Sequence, residues 1–208
     1  MDTNDARLKE KQLKAIEENI LRSDIPLKKE ATNLVFGKGN PNAEILFIGE
    51  APGKWEDQQG IPFVGKAGKL LDEFLQTISL RLNDIYIANI LKYRPPNNRD
   101  PNPEEIKAHT PFLIQQIDII KPKIIITLGN YATRFILADC NPDMMDSIPG
   151  ITALHGKEKE VIINSTTYKV MPMYHPAALI YNQKLMPEAG EDFKRLKDVL
   201  GQKSLDAF

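Results

Sequence analysis

The chain has 208 residues, 42% hydrophobic and 26% charged, the balance of one globular domain around a single buried core. Its net charge of −1 does not suit a protein that coats nucleic acid, so any such contact must come from a local patch on a balanced surface. A lone cysteine, Cys140, excludes an internal disulfide and any thiolate cluster held by this chain alone.

No apolar run approaches the ~20 residues of a membrane span. The polar start, MDTNDARLKEKQLK, has no apolar segment behind it, so a secretory signal is not expected. A cytoplasmic protein is the expectation.

In chain order, Asp5 to Leu21 carries Leu8, Leu13, Ile16, Ile20 and Leu21 among charges, which predicts an amphipathic helix. It belongs to an N-terminal helical segment, 1–26, ahead of a core over 27–208. The run EILFIGE (Glu44–Glu50) predicts a buried strand that ends in the tight loop APG. Lys66 to Ile78 has helical spacing in Leu70, Leu71, Phe74, Leu75 and Ile78.

The unit then repeats. DIYIANI (Asp84–Ile90) is a second strand, followed by the Pro/Asn-rich loop RPPNNRDPNP. Asn102 is placed to cap the next helix, with Pro103 at its first position and Glu104 and Glu105 in its first turn. KIIITLG (Lys123–Gly129) is a third strand and Asn130 to Leu137 a helix. Val161 to Pro176 reads as a β-hairpin whose second arm is the last core strand, and Glu188 to Gly201 as the closing helix.

Near-continuous apolar strands alternating with helices predict an α/β, doubly wound, single-domain sandwich with a mainly parallel sheet of about four strands. Sites in such sheets lie at the carboxyl ends of the strands. That selects the loops after Gly49, Asn89, Gly129 and Tyr174, where the unusual residues also lie.

GEAPGKWEDQQGIPFVGKAGKLL (Gly49–Leu71) sets the carboxylates Glu50 and Glu56 and the ring of Phe63 in an irregular loop that can approach a ligand closely. These residues read equally as a tight turn with solvated acids and a core aromatic. Asn89 ends a buried strand. Its amide either caps a turn or donates to a carbonyl and accepts from a ring N–H, as the edge of a pyrimidine requires. His175 follows the last strand, ahead of the apolar pair Leu179 and Ile180, as a donor beside a wedge would. The histidines His109, His155 and His175 show no paired ligand spacing, and neither GxxxxGK[ST] nor GxGxxG occurs, so no metal site is expected.

Taken in order, LVFGKGNPNAEILFIGEAPG, GIPFVGKAGKLLDEFL, YIANILKYRPPNNRDPNPEEI, ITLGNYATRFIL and MYHPAALI resemble the family 4 uracil-DNA glycosylases of bacteria and archaea, from about Leu27 to the last helix. The resemblance implies base flipping and hydrolysis of the uracil–deoxyribose bond in single- or double-stranded DNA, leaving an abasic site. It implies Glu50, His175, Asn89 and Glu56 as catalytic, with Gly49, Ala51, Phe63 and Asn98 joining Asn89 and His175 around the substrate. Arg94, Arg99, Lys157, Leu179 and Ile180 would contact DNA. A monomer with no membrane association is expected.

Three departures from the family's pattern stand out. The cysteines that hold its [4Fe–4S] cluster fall on Arg22, Ile25, Tyr93 and His109, so no cluster and no other cofactor is expected. A hydrophobic contact among Ile25, Tyr93 and their neighbours is expected in its place. Tyr181 stands where the wedge segment commonly continues with arginine. Ala51 stands where other families place a catalytic aspartate, which shifts the water-directing role to Glu50, with Glu56 or Asn98 as substitutes. The same scaffold also suits a glycosylase of another deaminated-base specificity, or an inactive DNA-binding relative. A covalent uracil-trapping variant carries an Arg-rich insert before its histidine, and none precedes His175.

Overall fold

The computed structural model describes residues 3–205. Six strands form one mixed sheet: β1 (Lys38–Gly39), β2 (Ile45–Gly49), β3 (Ile85–Asn89), β4 (Ile124–Leu128), β5 (Lys159–Ile163) and β6 (Thr166–Met173), in the order β1-β3-β2-β4-β6-β5. The four inner strands run parallel, as the apolar runs predict. The expected count of about four is corrected to six, because β1 and β5 add antiparallel edges. With two residues, β1 is too short to show any alternation.

Eight α-helices flank the sheet among the described residues: α1 (Thr3–Arg22), α2 (Lys54–Gln59), α3 (Lys66–Thr77), α4 (Pro103–Ile120), α5 (Gly129–Leu137), α6 (Ile151–Leu154), α7 (Pro176–Tyr181) and α8 (Met186–Leu205). The pleat of β2 shows how they are divided. Leu46 and Ile48 face α1, α4 and α5, while Ile45 and Phe47 face α3, α7 and α8, so both faces are covered. On the second face Phe74 stacks on Phe193 with ring centroids 4.8 Å apart.

At the start of α4, Asn102 Oδ1 accepts from Glu105 N and Glu105 Oε2 accepts from Asn102 N, the reciprocal capping that the sequence predicts. The buried stripe of α1 is narrower than expected. Leu13, Ile16 and Ile20 are buried against the sheet and α4, whereas Leu8 and Leu21 are exposed. Through these three residues α1 contributes to the core. No helix among the described residues is long and apolar enough to cross a membrane.

The four cysteine positions of the resemblance do not suit an iron–sulfur cluster. None is a thiol, and both ring nitrogens of His109 are already engaged. Nδ1 accepts from Lys92 N at 3.0 Å, so Nε2 carries the proton and donates to the Pro26 carbonyl at 3.0 Å. The Tyr93 ring packs edge-on against this imidazole at 6.1 Å, Ile25 packs nearby, and Arg22 is solvent-exposed. Tyr93 and Ile25 join the same hydrophobic cluster, and His109 ties two backbone segments together.

Candidate active site

The carboxyl ends of β2, β3 and β6 open onto a cleft of about 390 Å³, lined by Glu50, Ala51, Glu56, Phe63, Asn89, Asn98, Arg99 and His175, among others. Gly49 and Asn89 are register partners in β2 and β3, so Glu50 leaves the sheet beside Asn89. A Cβ on Gly49 would lie 2.4 Å from Asn89 Oδ1 and 3.0 Å from the Phe63 ring, so only glycine admits both neighbours. Asn89 is buried, and its Oδ1 has no hydrogen-bond partner. A buried acceptor left open at a cleft wall is set for a donor that arrives with a ligand.

Phe63 has a left-handed backbone (φ 52°), which costs energy in a bulky residue and persists only where its surroundings enforce it. Three contacts do so. Lys38 Nζ donates to the Phe63 carbonyl at 3.1 Å, and Glu56 Oε1 accepts from Val64 N at 3.0 Å and Gly65 N at 2.9 Å. Gly68 lets α3 close on the loop, since a Cβ there would sit 2.0 Å from the Phe63 carbonyl oxygen. The ring is thereby presented 5.7 Å from the His175 ring, between their centroids. Glu56 thus holds the Phe63 turn through Oε1, while its side chain also lines the cleft.

His175 is the N-cap of α7, and its Nδ1 accepts from Ala177 N at 3.1 Å. Burial lowers its pKa to about 4, with the Glu56 charge opposing the shift, so the ring is neutral near pH 7 and Nε2 carries the proton. It is a pure hydrogen-bond donor towards the cleft. Glu50 is shifted the other way. Burial, reinforced by the Asp100 carboxylate, raises its pKa to about 7.

The residues expected to contact DNA separate into groups. Arg99 lines the cleft but forms a bidentate pair with the buried Glu105, through Nη1 at 2.9 Å and Nη2 at 2.5 Å. Arg94 Nε donates to Asn98 Oδ1 at 2.7 Å. Lys157 lies outside the cleft on an exposed turn, with Nζ donating to Ala153 O at 2.8 Å. The wedge expectation for Leu179 is corrected: it is 1% exposed and packs in the core, because Pro176 to Tyr181 is a helix with an inward face. Ile180 and Tyr181 are exposed, Tyr181 at 91%, and Tyr181 lines the cleft mouth. Sequence reasoning did not single out Asp100, whose effect on Glu50 is spatial and carries no motif.

A fold of this kind, with an acid, a neutral histidine donor, a fixed aromatic ring and an open amide at the ends of its parallel strands, defines a base-binding hydrolase site. Residues 36–200 match the family model described as the uracil DNA glycosylase superfamily, and the chain belongs to that superfamily. It is 45% identical over 183 residues to the type-4 uracil-DNA glycosylase of Archaeoglobus fulgidus, covering 88% of this chain and 89% of that protein. Its identity to the type-4 uracil-DNA glycosylase of Sulfurisphaera tokodaii is 47%, over 81% of this chain and 75% of the relative. With that of Saccharolobus solfataricus it is 45%, over 88% and 84%.

Proposed function

We propose that this protein is a uracil-DNA glycosylase that removes uracil from single- or double-stranded DNA as a monomer, and that it does so without an iron–sulfur cluster. The observation that carries the base reading is the open, buried Oδ1 of Asn89 beside the Phe63 ring. Uracil offers an N3–H to that acceptor and an O4 to the amide N–H, and its plane stacks on Phe63. Cytosine inverts both edge groups, and a site whose buried polar groups are stranded by an analogue can reject it by ~10⁴-fold.

The nucleotide must leave the stack before its glycosidic bond is reachable, at a cost of a few kcal/mol. Ile180 and Tyr181, on the exposed face of α7, are placed to occupy the vacated space, and Lys157 and Arg94 to hold phosphates. As the bond breaks, negative charge grows on the uracil and positive charge on the sugar. His175 Nε2–H donates to O2 of the leaving base, a kind of contact worth about 3–4 kcal/mol in the transition state. Glu50, ionised, stabilises the cationic sugar or orients the attacking water.

The test is incubation with uracil-containing single-stranded DNA followed by alkali. Strand breaks at uracil support the reading; a mobility shift without breaks overturns it in favour of an inactive DNA-binding relative. A panel of other deaminated bases in the same assay decides specificity.

A further inference from the structure

Lys92 lies three residues beyond Asn89 and is wholly buried. Its Nζ donates to the main-chain carbonyl of Asn89 at 2.8 Å and to Gln116 Oε1 at 2.5 Å, and it stands 5.9 Å from the Phe36 ring centroid. Gln116, itself buried, donates from Nε2 to the Phe36 carbonyl at 3.1 Å. Both oxygens that receive the ammonium are neutral. A buried ammonium without a counter-ion is costly, and an apolar side chain of the same length would fill this space at lower cost. The charge therefore calls for a role beyond packing.

The position of its first partner supplies one. The Asn89 carbonyl is the last of β3, at the point where the chain leaves the sheet and the amide faces the cleft. We propose that Lys92 is a positioning residue for uracil recognition: it clamps the main chain at Asn89 so that the amide meets the base in one orientation, and it places positive charge behind the N3 and O4 edge that Asn89 reads. This rests on Asn89 reading the base. In a medium of low dielectric a fixed cation behind Asn89 favours the share of negative charge that the departing uracil delocalises onto O4.

The charge is also poised. Burial lowers the pKa of Lys92 to about 7. His109 on α4 accepts from the Lys92 main chain, with Glu105 beyond it on the same helix, while Tyr86 on β3 stands beside Gln116 and Tyr93 is adjacent in sequence. Burial lowers the pKa of His109, the Arg99 hydrogen bond lowers that of Glu105, and burial raises those of both phenols, so all four move away from neutrality. Within this cluster the Lys92 ammonium is the group that changes charge near pH 7. The charge is lost as pH rises through that value, and the clamp weakens to the two bonds a neutral amine can still donate.

The experiment measures single-turnover excision from a uracil-containing single-stranded oligonucleotide between pH 6 and 9, using the full chain and the variants Lys92→Met, Gln116→Glu and Asn89→Ala. Wild type should pass through a maximum near pH 7, rising as Glu50 ionises and losing rate above it as Lys92 gives up its charge. Lys92→Met should be slower by about 10–100-fold at pH 6.5, somewhat less than loss of a direct anion donor, and should lack that alkaline decline. Its midpoint of thermal unfolding should match or exceed that of wild type, since an uncompensated charge is gone. Gln116→Glu supplies a counter-ion, so it should move the decline to higher pH by at least one unit even if the methionine variant fails to fold. A folded Lys92→Met with wild-type rate and profile, or an unmoved decline in Gln116→Glu, overturns the proposal. If Asn89→Ala is slow while both other variants behave as wild type, only the role of Lys92 falls. If Asn89→Ala is itself unimpaired, the reading of Asn89 falls and the proposal with it.

Discussion

Replacing His109 tests what holds the Pro26 and Lys92 backbone segments together. In His109→Leu the volume is nearly kept while both hydrogen bonds go. The Lys92 N–H is buried and is left unpaired, at about 1–3 kcal/mol, whereas the Pro26 carbonyl sits at the rim, where water can replace the lost bond at about 1 kcal/mol or less. The expected loss is about 3 kcal/mol at pH 7, which for a chain of this length corresponds to roughly 6–12 °C in the midpoint of thermal unfolding.

His109→Gln can make both bonds, with its amide oxygen accepting and its N–H donating, and should recover most of this loss. The pH dependence isolates the imidazole further. Burial lowers its pKa from 6.5 to about 4, so the unfolded chain binds the extra proton between these values and stability falls as pH drops through that window. The full contribution is roughly 3 kcal/mol, of which about 2 kcal/mol is lost between pH 7 and 5. Glu50, raised to about 7, drifts in the opposite sense over the same range, so only the difference between variants is diagnostic. Urea unfolding at pH 7 and pH 5 should show His109→Gln gaining about 2 kcal/mol on wild type at the lower pH. An unchanged gap would refute the neutral, two-bonded imidazole.

Four further outcomes follow from the structure. The purified protein should be colourless and free of iron by metal analysis, because His109 uses both ring nitrogens and none of Arg22, Ile25 and Tyr93 offers a thiolate; stoichiometric iron would contradict this. Asn89→Asp should excise uracil more slowly and discriminate less against cytosine, since a carboxylate repels O4 when ionised and presents the cytosine pattern when protonated; an unchanged base preference would remove Asn89 from recognition. His175→Ala should slow single-turnover cleavage by about 10²–10³-fold with little change in binding to abasic DNA. Glu50→Gln should lose the acid limb, in which wild-type rate rises as Glu50 ionises through about pH 7, and the double variant should lose less than the product of the two single effects.

The alternation of apolar strands with helices, the cap at Asn102 and the parallel run of the four inner strands all rest on short-range pattern, and each was legible in the residues themselves. So was the membership of the site, because Glu50, Asn89 and His175 follow strands, and parallel strands deliver their carboxyl ends to one edge. The roles within the site were another matter. Whether Glu56 meets substrate or backbone depends on where the Phe63 turn comes back, eight residues on. Whether Leu179 points out as a wedge depends on which face α7 turns to the core. The raised pKa of Glu50, the pairing of Arg99 with Glu105 and the charge on Lys92 arise from burial and from neighbours distant in sequence. Linear order carries the identity of a group and its distance from a strand end. Desolvation and hydrogen bonding, which decide its protonation and its partner, exist only once the chain has closed around it.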